Sequence, residues 1–575
     1  MNKKNAETKQ MDKKMQDISY EIIRITRTSD NAQDKVIPYA YLLWKTCSID
    51  KKEAGLNELL SNCNYEFVTS ATDMGINESE WNEVKRLLKT YSIEDFSYVV
   101  SNYVDGTRSG MESYTPSSIV KLVNAIIGPR DNSTFVDICC GRGSLLTEMA
   151  KEYPTLHYHG IDICRQELLL AKLRTDVISA DNIEFHFDNA FTSNVIAPKS
   201  ADFIFADPPH GMRMNMVEPE LKVIENDFPV VRNTSFEWAW ASIAMKLLND
   251  EGKAIIIMPE GCMFGGANKD IRKHFVDNGW IESVINMPKN MFPYMGIATV
   301  MVILSRGNEN IRLVDASDLY VKGRRINTFD DNDIEVISKA LNEDSEISVT
   351  IDKKMFEEHD FSLYAPKYLE DIPEFQDGVV FESIIKRITR GSLYKAAELD
   401  DLHSEDETGY QCLMPASIQD GIIDINLPYL TKLESKDDKY CLNDHSLVLM
   451  KMVMSDGTWK IAVMDDTKGK KIIAGSNYYI IDVDESKADP YYIQAFLEST
   501  TGRLVLNSIA VGSNVKMISI EDIRKLIIPL PALDIQHEIG NEFKACLKTI
   551  DELKKKIVAT QATKTMIFDG KYNVK

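Results

Sequence analysis

Apolar residues recur along the chain with two different spacings, and these spacings divide it into regions. Intervals of three and four residues, typical of amphipathic helices, dominate residues 1–105, as in ISYEIIRITRTS (18–29). Over 106–330 short β-type runs alternate with helical patterns instead. The two patterns predict a helical N-terminal domain followed by an α/β domain with a Rossmann-like, doubly wound parallel sheet.

The second half of the chain has a different pattern. After a predicted linker over 331–375, short strands interrupted by Gly, Asp and Asn predict an α+β domain over 376–533. Residues 534–575 are predicted to form a long terminal helix with one apolar stripe, made of Ile535, Ile539, Phe543, Cys546, Ile550, Leu553 and Ile557. A stripe of that length requires a partner to bury it.

Composition narrows the class of protein. A chain of 575 residues is too long for one hydrophobic core, and we find neither an apolar run of membrane-spanning length nor a secretory signal. The nine cysteines show no paired Cys-x-x-Cys spacing, so we expect reduced thiols in a cytoplasmic protein and no metal site. The formal net charge of −22 argues against general affinity for phosphate backbones, so a nucleic-acid site must be a local basic surface or be completed by a partner.

Four acidic residues mark the carboxyl ends of four successive predicted strands: Asp137, Asp162, Asp188 and Asp207. One acid at such a position is often only a helix cap. Four of them in register are typical of the edge at which α/β sheets bind ligands, and an acid after the second strand binds ribose hydroxyls in nucleotide-binding folds. The sequence therefore predicts a ligand site at this edge.

A glycine-containing turn follows the first of these strands. Gly141 and Gly143 let the backbone approach a ligand closely, and the helix that begins near Ser144 offers free N–H groups. A tight strand-to-helix turn explains the same glycines equally well, because such patterns are weak signals alone. Upstream, Thr115 can cap a helix and Pro116 suits its first position, but capping gives no role to Tyr114.

The stretch FIFADPPH (203–210) ends the fourth strand at Asp207. Pro208 and Pro209 restrict the backbone beside this carboxylate, and His210 places an imidazole next to it. A rigid exit from the strand and a catalytic loop are both consistent with these residues taken alone.

In the order SYTP, DICCGRG, GIDI, DNAF and DPPH, these motifs resemble the S-adenosylmethionine-dependent amino-methyltransferases that act on DNA, with the motif order of the gamma class. The stretches WAWASIAMKLLNDEGKAIIIMPEGCMF (238–264) and VINMPKNMFPYMGIATVMVILSR (284–306) resemble, more specifically, the methylase subunit of type I restriction-modification systems. This resemblance covers about residues 20–330. The stretches SLVLMKMVMSDGTWKIAVMDD (446–466) and ISIEDIRKLIIPLPALDIQHEIG (518–540) resemble one target-recognition half of a type I specificity subunit.

The resemblance implies roles for the motif residues. The cofactor, S-adenosylmethionine, would be held by Tyr114, Thr115, Pro116, Asp137, Gly141, Gly143, Asp162 and Asp188. The target base would be held by Asp207, Pro208, Pro209 and His210. Two residues depart from the family pattern, since the tetrad normally ends in an aromatic residue where this chain has His210, and Arg142 stands between the loop glycines.

The resemblance implies methylation of adenine N6 in double-stranded DNA, and several alternatives stay open. Cytosine N4 methylation uses a similar tetrad, and so does glutamine methylation in proteins, which the recognition half argues against. A catalytically silent DNA-binding subunit that serves a separate restriction nuclease is a different class of function. The terminal helix either packs on its own chain or pairs with a second copy, which would give a homodimer with two recognition halves.

Overall fold

The computed structural model divides the chain into two compact units, Met1–Ala365 and Pro366–Lys575. None of the helices that the structure describes is both long enough and apolar enough to cross a membrane. The described residues are 2–27, 32–51, 54–61, 63, 67–69, 71, 74–103, 115–211, 224, 227–229, 236–293, 296–369, 373–424, 426–454, 457–512 and 516–571.

The first unit begins with helices, as the spacing of apolar residues predicts. Polar side chains fix where two of them begin: Asn77 accepts a hydrogen bond from the N–H of Glu80, and Ser92 forms a capping box with Asp95. Their apolar faces share a core in which Trp81 is fully buried. The described helices of this region are α1 (Asn2–Thr26), α2 (Val36–Ser48), α3 (Leu56–Ser61), α4 (Glu78–Val84) and α5 (Ile93–Asn102).

A nine-stranded sheet follows, in the order β3-β2-β1-β4-β5-β7-β6-β8-β9. Strands β1 to β5 run parallel to one another, which confirms the predicted Rossmann-like α/β fold. The strands are β1 (Thr134–Asp137), β2 (His157–Asp162), β3 (Ile183–Phe187), β4 (Ala201–Ala206), β5 (Leu248–Pro259), β6 (Ile281–Asn286), β7 (Thr299–Leu304), β8 (Asn310–Asp315) and β9 (Ser348–Asp352).

The sheet is parallel, as predicted, except for two strands that are reversed. β7 runs antiparallel to both β5 and β6, and β9 runs antiparallel to β8. A parallel neighbour requires a long crossover, usually a helix, whereas an antiparallel one does not. The described residues between β6 and β7 contain no helix, so the chain returns directly alongside β6 in the opposite direction.

Helices flank the sheet. The main core cluster joins α6 (Ser117–Ile127), α7 (Ser144–Glu152) and α11 (Asp331–Ala340) to strand residues such as Phe135 and Ile255. Helix α9 (Glu237–Leu247) packs against β4 and β5. Residues 331–365, which the sequence assigns to a linker, supply α11 and β9 to this unit, because α11 has an amphipathic face and β9 pairs with β8. The described helices here are α6 (Ser117–Ile127), α7 (Ser144–Glu152), α8 (Arg165–Ile178), α9 (Glu237–Leu247), α10 (Lys269–Asp277) and α11 (Asp331–Ala340).

The second unit is built from short strands and helices around its own core. Its sheets have the orders β11-β20-β17-β18, β12-β16-β13-β19, β10-β21 and β14-β15. The strands are β10 (Gly378–Val380), β11 (Ile385–Arg390), β12 (His403–Ser404), β13 (Tyr410–Leu413), β14 (Ile418–Gln419), β15 (Ile422–Ile423), β16 (Tyr429–Leu430), β17 (Leu447–Met450), β18 (Ile461–Val463), β19 (Lys471–Ala474), β20 (Tyr478–Val483) and β21 (Ile527–Pro529). The helices are α12 (Pro366–Leu369), α13 (Ala396–Asp401), α14 (Pro490–Glu498), α15 (Thr500–Ser508), α16 (Ile520–Lys525) and α17 (Leu533–Lys571).

Candidate active site

The four predicted acids lie at one edge of the sheet. Asp137 and Asp162 are the last residues of β1 and β2, and Asp188 and Asp207 directly follow β3 and β4. These four strands are parallel and adjacent, so their carboxyl ends meet at the same edge. The structure therefore brings together residues that are separated by up to 70 positions in the sequence, from Asp137 to Asp207.

The glycine turn after β1 has a backbone that favours glycine. Gly141 has φ of 48° and Gly143 has φ of 66°, both in the left-handed region. A Cβ added at Gly143 would lie 3.0 Å from the Cβ of Ala171 and 3.1 Å from the Cζ of Phe185. The N–H of Gly141 donates to Oδ2 of Asp162 at 2.8 Å, so the acid at the end of β2 holds the turn in place.

Arg142, the residue that departs from the family's glycine pattern, has a structural partner. Its side chain is buried, and its Nε and Nη2 donate to the two carboxylate oxygens of Glu167 at 2.7 and 3.3 Å. Buried Arg174 donates from Nη1 to the carbonyl oxygen of Arg142 and from Nε to that of Val100, which ties the turn to helix α5. Burial lowers the pKa of Arg174 to about 10. An arginine between the two glycines is therefore compatible with the turn, because Glu167 binds its side chain and Arg174 binds its carbonyl oxygen.

The acids form a concentrated region of negative charge. Burial, and to a smaller extent the carboxylates of Asp162 and Asp207, raise the pKa of Asp137 well above its ordinary value. Burial also raises the pKa of Asp162, although backbone N–H groups of Cys164 and Gly141 oppose that shift. A cationic ligand at this edge would relieve the repulsion. S-adenosylmethionine carries a sulfonium and an ammonium group, so the residues present fit it.

Two large apolar side chains lie beside these acids, and the sequence analysis missed them. Ile163 follows Asp162 and is 72% exposed, and Phe187 precedes Asp188 and is 62% exposed. Exposed large apolar side chains at the ends of two neighbouring strands are typical of a surface that a ligand covers. The signal in the sequence is an apolar residue directly adjacent to each acid.

Asp207 accepts a hydrogen bond from Thr115, which lies just before helix α6. The hydroxyl of Thr115 donates to its Oδ2 at 3.3 Å, and Asp207 is 6% exposed. Pro116 is the N-cap of α6, and no side chain makes a capping hydrogen bond there. Thr115 is therefore not the helix cap that its sequence context allows, and its hydroxyl contacts the carboxylate instead. Tyr114, the third residue of that motif, lies outside the described residues.

His210 lies against the carboxylate in the same loop. Its Nε2 is 3.8 Å from Oδ1 of Asp207, and its side chain is 7% exposed. Burial lowers the pKa of His210 to about 4, so its imidazole is neutral at physiological pH. Of the two prolines between Asp207 and His210 in the chain, Pro208 is buried and Pro209 is exposed. A neutral ring leaves Asp207 available as an acceptor, which a permanent ion pair would not.

A third residue that was not predicted from the sequence, Glu237, supports this loop. Glu237, the first residue of α9, is 1% exposed, and its Oε1 accepts a hydrogen bond from the N–H of Gly211 at 2.9 Å. Gly211 follows the DPPH tetrad directly and has φ of 78°. A buried carboxylate thus fixes the backbone at the end of the tetrad. The position of Glu237 at the start of α9 gives no sequence signal for this role.

Two family models match separate segments of the chain. Residues 94–377 match the family model described as N-6 DNA Methylase, and residues 430–560 match the one described as Type I restriction modification DNA specificity domain. The chain joins an N-6 DNA methylase domain to a type I specificity domain. The prediction that a methylase domain is fused to a specificity domain is confirmed.

A curated relative and two solved structures show similarity to this fused protein. The MjaVIII methylase subunit of a type I restriction enzyme from Methanocaldococcus jannaschii is 27% identical over 401 residues, which are 62% of this chain and 65% of that one. The chain thus spans just under two thirds of this relative's length. Two structures share the fold: a type I restriction-modification methyltransferase subunit from Streptococcus thermophilus (18% identity, TM-score 0.51, 62% of this chain and 98% of that one) and the type IIG restriction endonuclease BpuSI (13%, 0.50, 92% and 74%).

Proposed function

We propose that this chain is a site-specific DNA methyltransferase that transfers a methyl group from S-adenosylmethionine to adenine N6. The observation that carries the proposal is the position of Asp207 and its tetrad. They lie at the same sheet edge as the glycine turn and the other three acids, within residues 94–377, which match the N-6 DNA Methylase family model. That edge is where α/β sheets bind their ligands.

The residues at the end of β1, β2 and β3 would hold the cofactor. Asp162 would accept hydrogen bonds from the ribose hydroxyls, because each carboxylate oxygen can accept more than the one backbone N–H it now has. Ile163 and Phe187 would cover the faces of the adenine ring, with Asp188 at its edge. Gly141, Gly143 and Asp137 would face the methionine part of the cofactor, with Tyr114, Thr115 and Pro116 closing over it.

S-adenosylmethionine, when bound, supplies an electrophilic methyl group. The exocyclic amine of adenine is a poor nucleophile, since its lone pair is delocalised into the ring. Asp207 would accept a hydrogen bond from one N–H of that amine, and the carbonyl oxygen of Pro208 would accept one from the other. Both bonds favour a tetrahedral nitrogen, and acceptors that are already fixed in place stabilise charge as it develops.

The target base must leave the duplex to reach this edge, and a flat side chain then stacks on it. His210 would take that role, and its neutral imidazole suits stacking on an uncharged base. The ring is buried against Asp207 in the structure, so binding of the base would have to turn it outwards. The contact area of an imidazole is smaller than that of a tyrosine, so we expect a weaker hold on the base.

Assembly is a second part of the proposal. On helix α17 the apolar side chains of Ile550, Leu553 and Ile557 are 38%, 53% and 56% exposed. Pairing of this helix with the same helix of a second copy would bury them and would provide two recognition halves. A dimer that binds double-stranded DNA with two-fold symmetry requires two inverted half-sites separated by a fixed gap. A separate restriction subunit would complete a type I-like system.

Transfer of a labelled methyl group from S-adenosylmethionine to DNA by the purified chain tests the proposal, with the product nucleosides separated afterwards. We expect N6-methyladenine from the wild type and from Asp181→Ala, an exposed acid at the opposite end of β3. Asp207→Ala should form no product while it still binds S-adenosylhomocysteine. N4-methylcytosine would identify the alternative amino-methyltransferase, and cofactor binding without transfer would identify a silent specificity protein.

A further inference from the structure

Three ligand-type side chains that have no role in the proposed methyl transfer meet on strands β2 and β3. His159 lies on β2, and Glu184 and His186 lie on β3, where His159 pairs in register with Glu184. Alternate residues of a strand point to one side of the sheet, so the three share a face. Their neighbours Tyr158 and Phe185 point to the opposite side and pack in the core.

The spacing of the three ligand atoms is that of a metal site. Nδ1 of His159 is 3.2 Å from Nε2 of His186, and Oε2 of Glu184 is 3.8 Å from each nitrogen. In a tetrahedral site with metal–nitrogen bonds of about 2.0–2.1 Å, neighbouring ligand atoms lie roughly 3.3 Å apart. The two nitrogens already have this separation, and the flexible carboxylate needs to move by only about half an ångström.

Solvent can reach the three side chains. The histidines are 22% and 23% exposed, and Glu184 is 69% exposed. The connection from β3 to β4, residues 188–200, contains no helix. No helix from this connection therefore covers the face of β2 and β3 that carries the three side chains. Three protein ligands leave a fourth position for water, which is a common arrangement for Zn²⁺.

We propose that His159, Glu184 and His186 bind a divalent transition metal ion of the Zn²⁺ type. Imidazole nitrogen and carboxylate oxygen are ligands that suit this class of ion. The absence of paired cysteines predicted no metal site, whereas these three ligands come together only in the folded sheet. The ion would link β2 to β3 just before the ends that carry Asp162 and Asp188. Bound metal would therefore stabilise the edge that the cofactor acids occupy.

Titration of the untagged, metal-free full chain with Co²⁺ and then Zn²⁺ tests this assignment. Co²⁺ absorption distinguishes nitrogen and oxygen ligands from thiolates, which matters because Cys164 and Cys546 are exposed. We expect one bound ion with a nitrogen and oxygen signature, displaced by Zn²⁺, and a higher melting temperature in its presence.

Three variants make the assignment specific. The double change His159→Ala and His186→Ala should abolish binding. Glu184→Gln, at an exposed position that leaves folding intact, should weaken it by at least roughly tenfold, since even loss of an outer-sphere partner costs about 10–100-fold. His403→Ala removes an exposed imidazole from the second unit and should change nothing. Absence of stoichiometric binding in the wild type, a thiolate spectrum, or unchanged affinity in Glu184→Gln would overturn the proposal and leave a hydrogen-bonded histidine pair.

Discussion

Replacement of Gly143 by alanine should damage the glycine turn more than an otherwise similar replacement elsewhere. Two features of Gly143 set the size of the effect: its φ of 66° and the absence of space for a Cβ, which would lie 3.0 Å from the Cβ of Ala171. Gly128 offers a matched control. It ends helix α6 with φ of 52°, and a Cβ added there meets no described atom within 4 Å.

The left-handed backbone costs a residue with a Cβ about 1–2 kcal/mol, and this cost applies to both glycines. Crowding applies only at Gly143, where an extra methyl group in a packed core costs about 1–3 kcal/mol more. We therefore expect Gly143→Ala to lower the free energy of unfolding by about 2–5 kcal/mol and Gly128→Ala by about 1–2 kcal/mol. The difference between the two variants isolates the close packing of the turn against α8 and β3.

Urea denaturation of the two variants, with the m-value compared to that of the wild type, measures the stability difference. Calorimetric titration with S-adenosylhomocysteine measures the second consequence, since a displaced turn should bind cofactor more weakly in Gly143→Ala and not in Gly128→Ala. Equal destabilisation by both changes would refute the crowding argument. Unchanged cofactor affinity in a folded Gly143→Ala protein would remove the turn from the cofactor site.

Four further outcomes test other residues of the account. Asp162→Asn should weaken S-adenosylhomocysteine binding by roughly 1.5–3 kcal/mol in calorimetry, because the ribose hydroxyls lose a charged acceptor; unchanged affinity would exclude Asp162. His210→Tyr should retain or raise methyl transfer if the ring stacks on the base, and a folded, cofactor-binding but inactive variant would exclude stacking. The pKa of His210 falls from its ordinary 6.5 to about 4 on folding, so only the unfolded imidazole takes up a proton between those values. The free energy of unfolding should therefore drop by up to about 3 kcal/mol as pH falls through that window, and urea denaturation of His210→Tyr should lack this component. Ile550→Lys with Leu553→Lys should convert a dimer to a monomer in light scattering, whereas a wild type that is already monomeric on DNA would contradict pairing through α17.

Much of the fold follows from patterns that the sequence displays directly. The strand ends at Asp137 and Asp162 are predictable because an apolar run stops at an acid before a turn, and those ends are where the structure has them. The reversal of β7 is not predictable in this way, since strand direction depends on the connection and not on the apolar pattern. The pairing of β9 with β8 is likewise a long-range contact that no local spacing reveals.

Some residues of the candidate site are likewise predictable from local motifs, whereas others are recognised only in the folded chain. Gly143 and Asp207 belong to local motifs, and a motif needs only its neighbours to be recognised. Ile163, Phe187 and Glu237 gain their roles from exposure or burial in the folded chain, which the sequence does not contain. The contact of Thr115 with Asp207 shows the opposite error: a local capping rule explains the threonine well, yet the hydroxyl bonds to a residue 92 positions away.

The central claim is that this chain alone marks adenine in DNA at defined sites through Asp207. Sequencing of modified bases in DNA from cells that express the chain, beside cells that express Asp207→Ala, tests it most directly. We predict N6-methyladenine at one recurrent sequence made of two inverted half-sites with a fixed gap, present with the wild type and absent with Asp207→Ala. Unmodified adenine in both samples, or methylation that persists in the variant, would contradict the account.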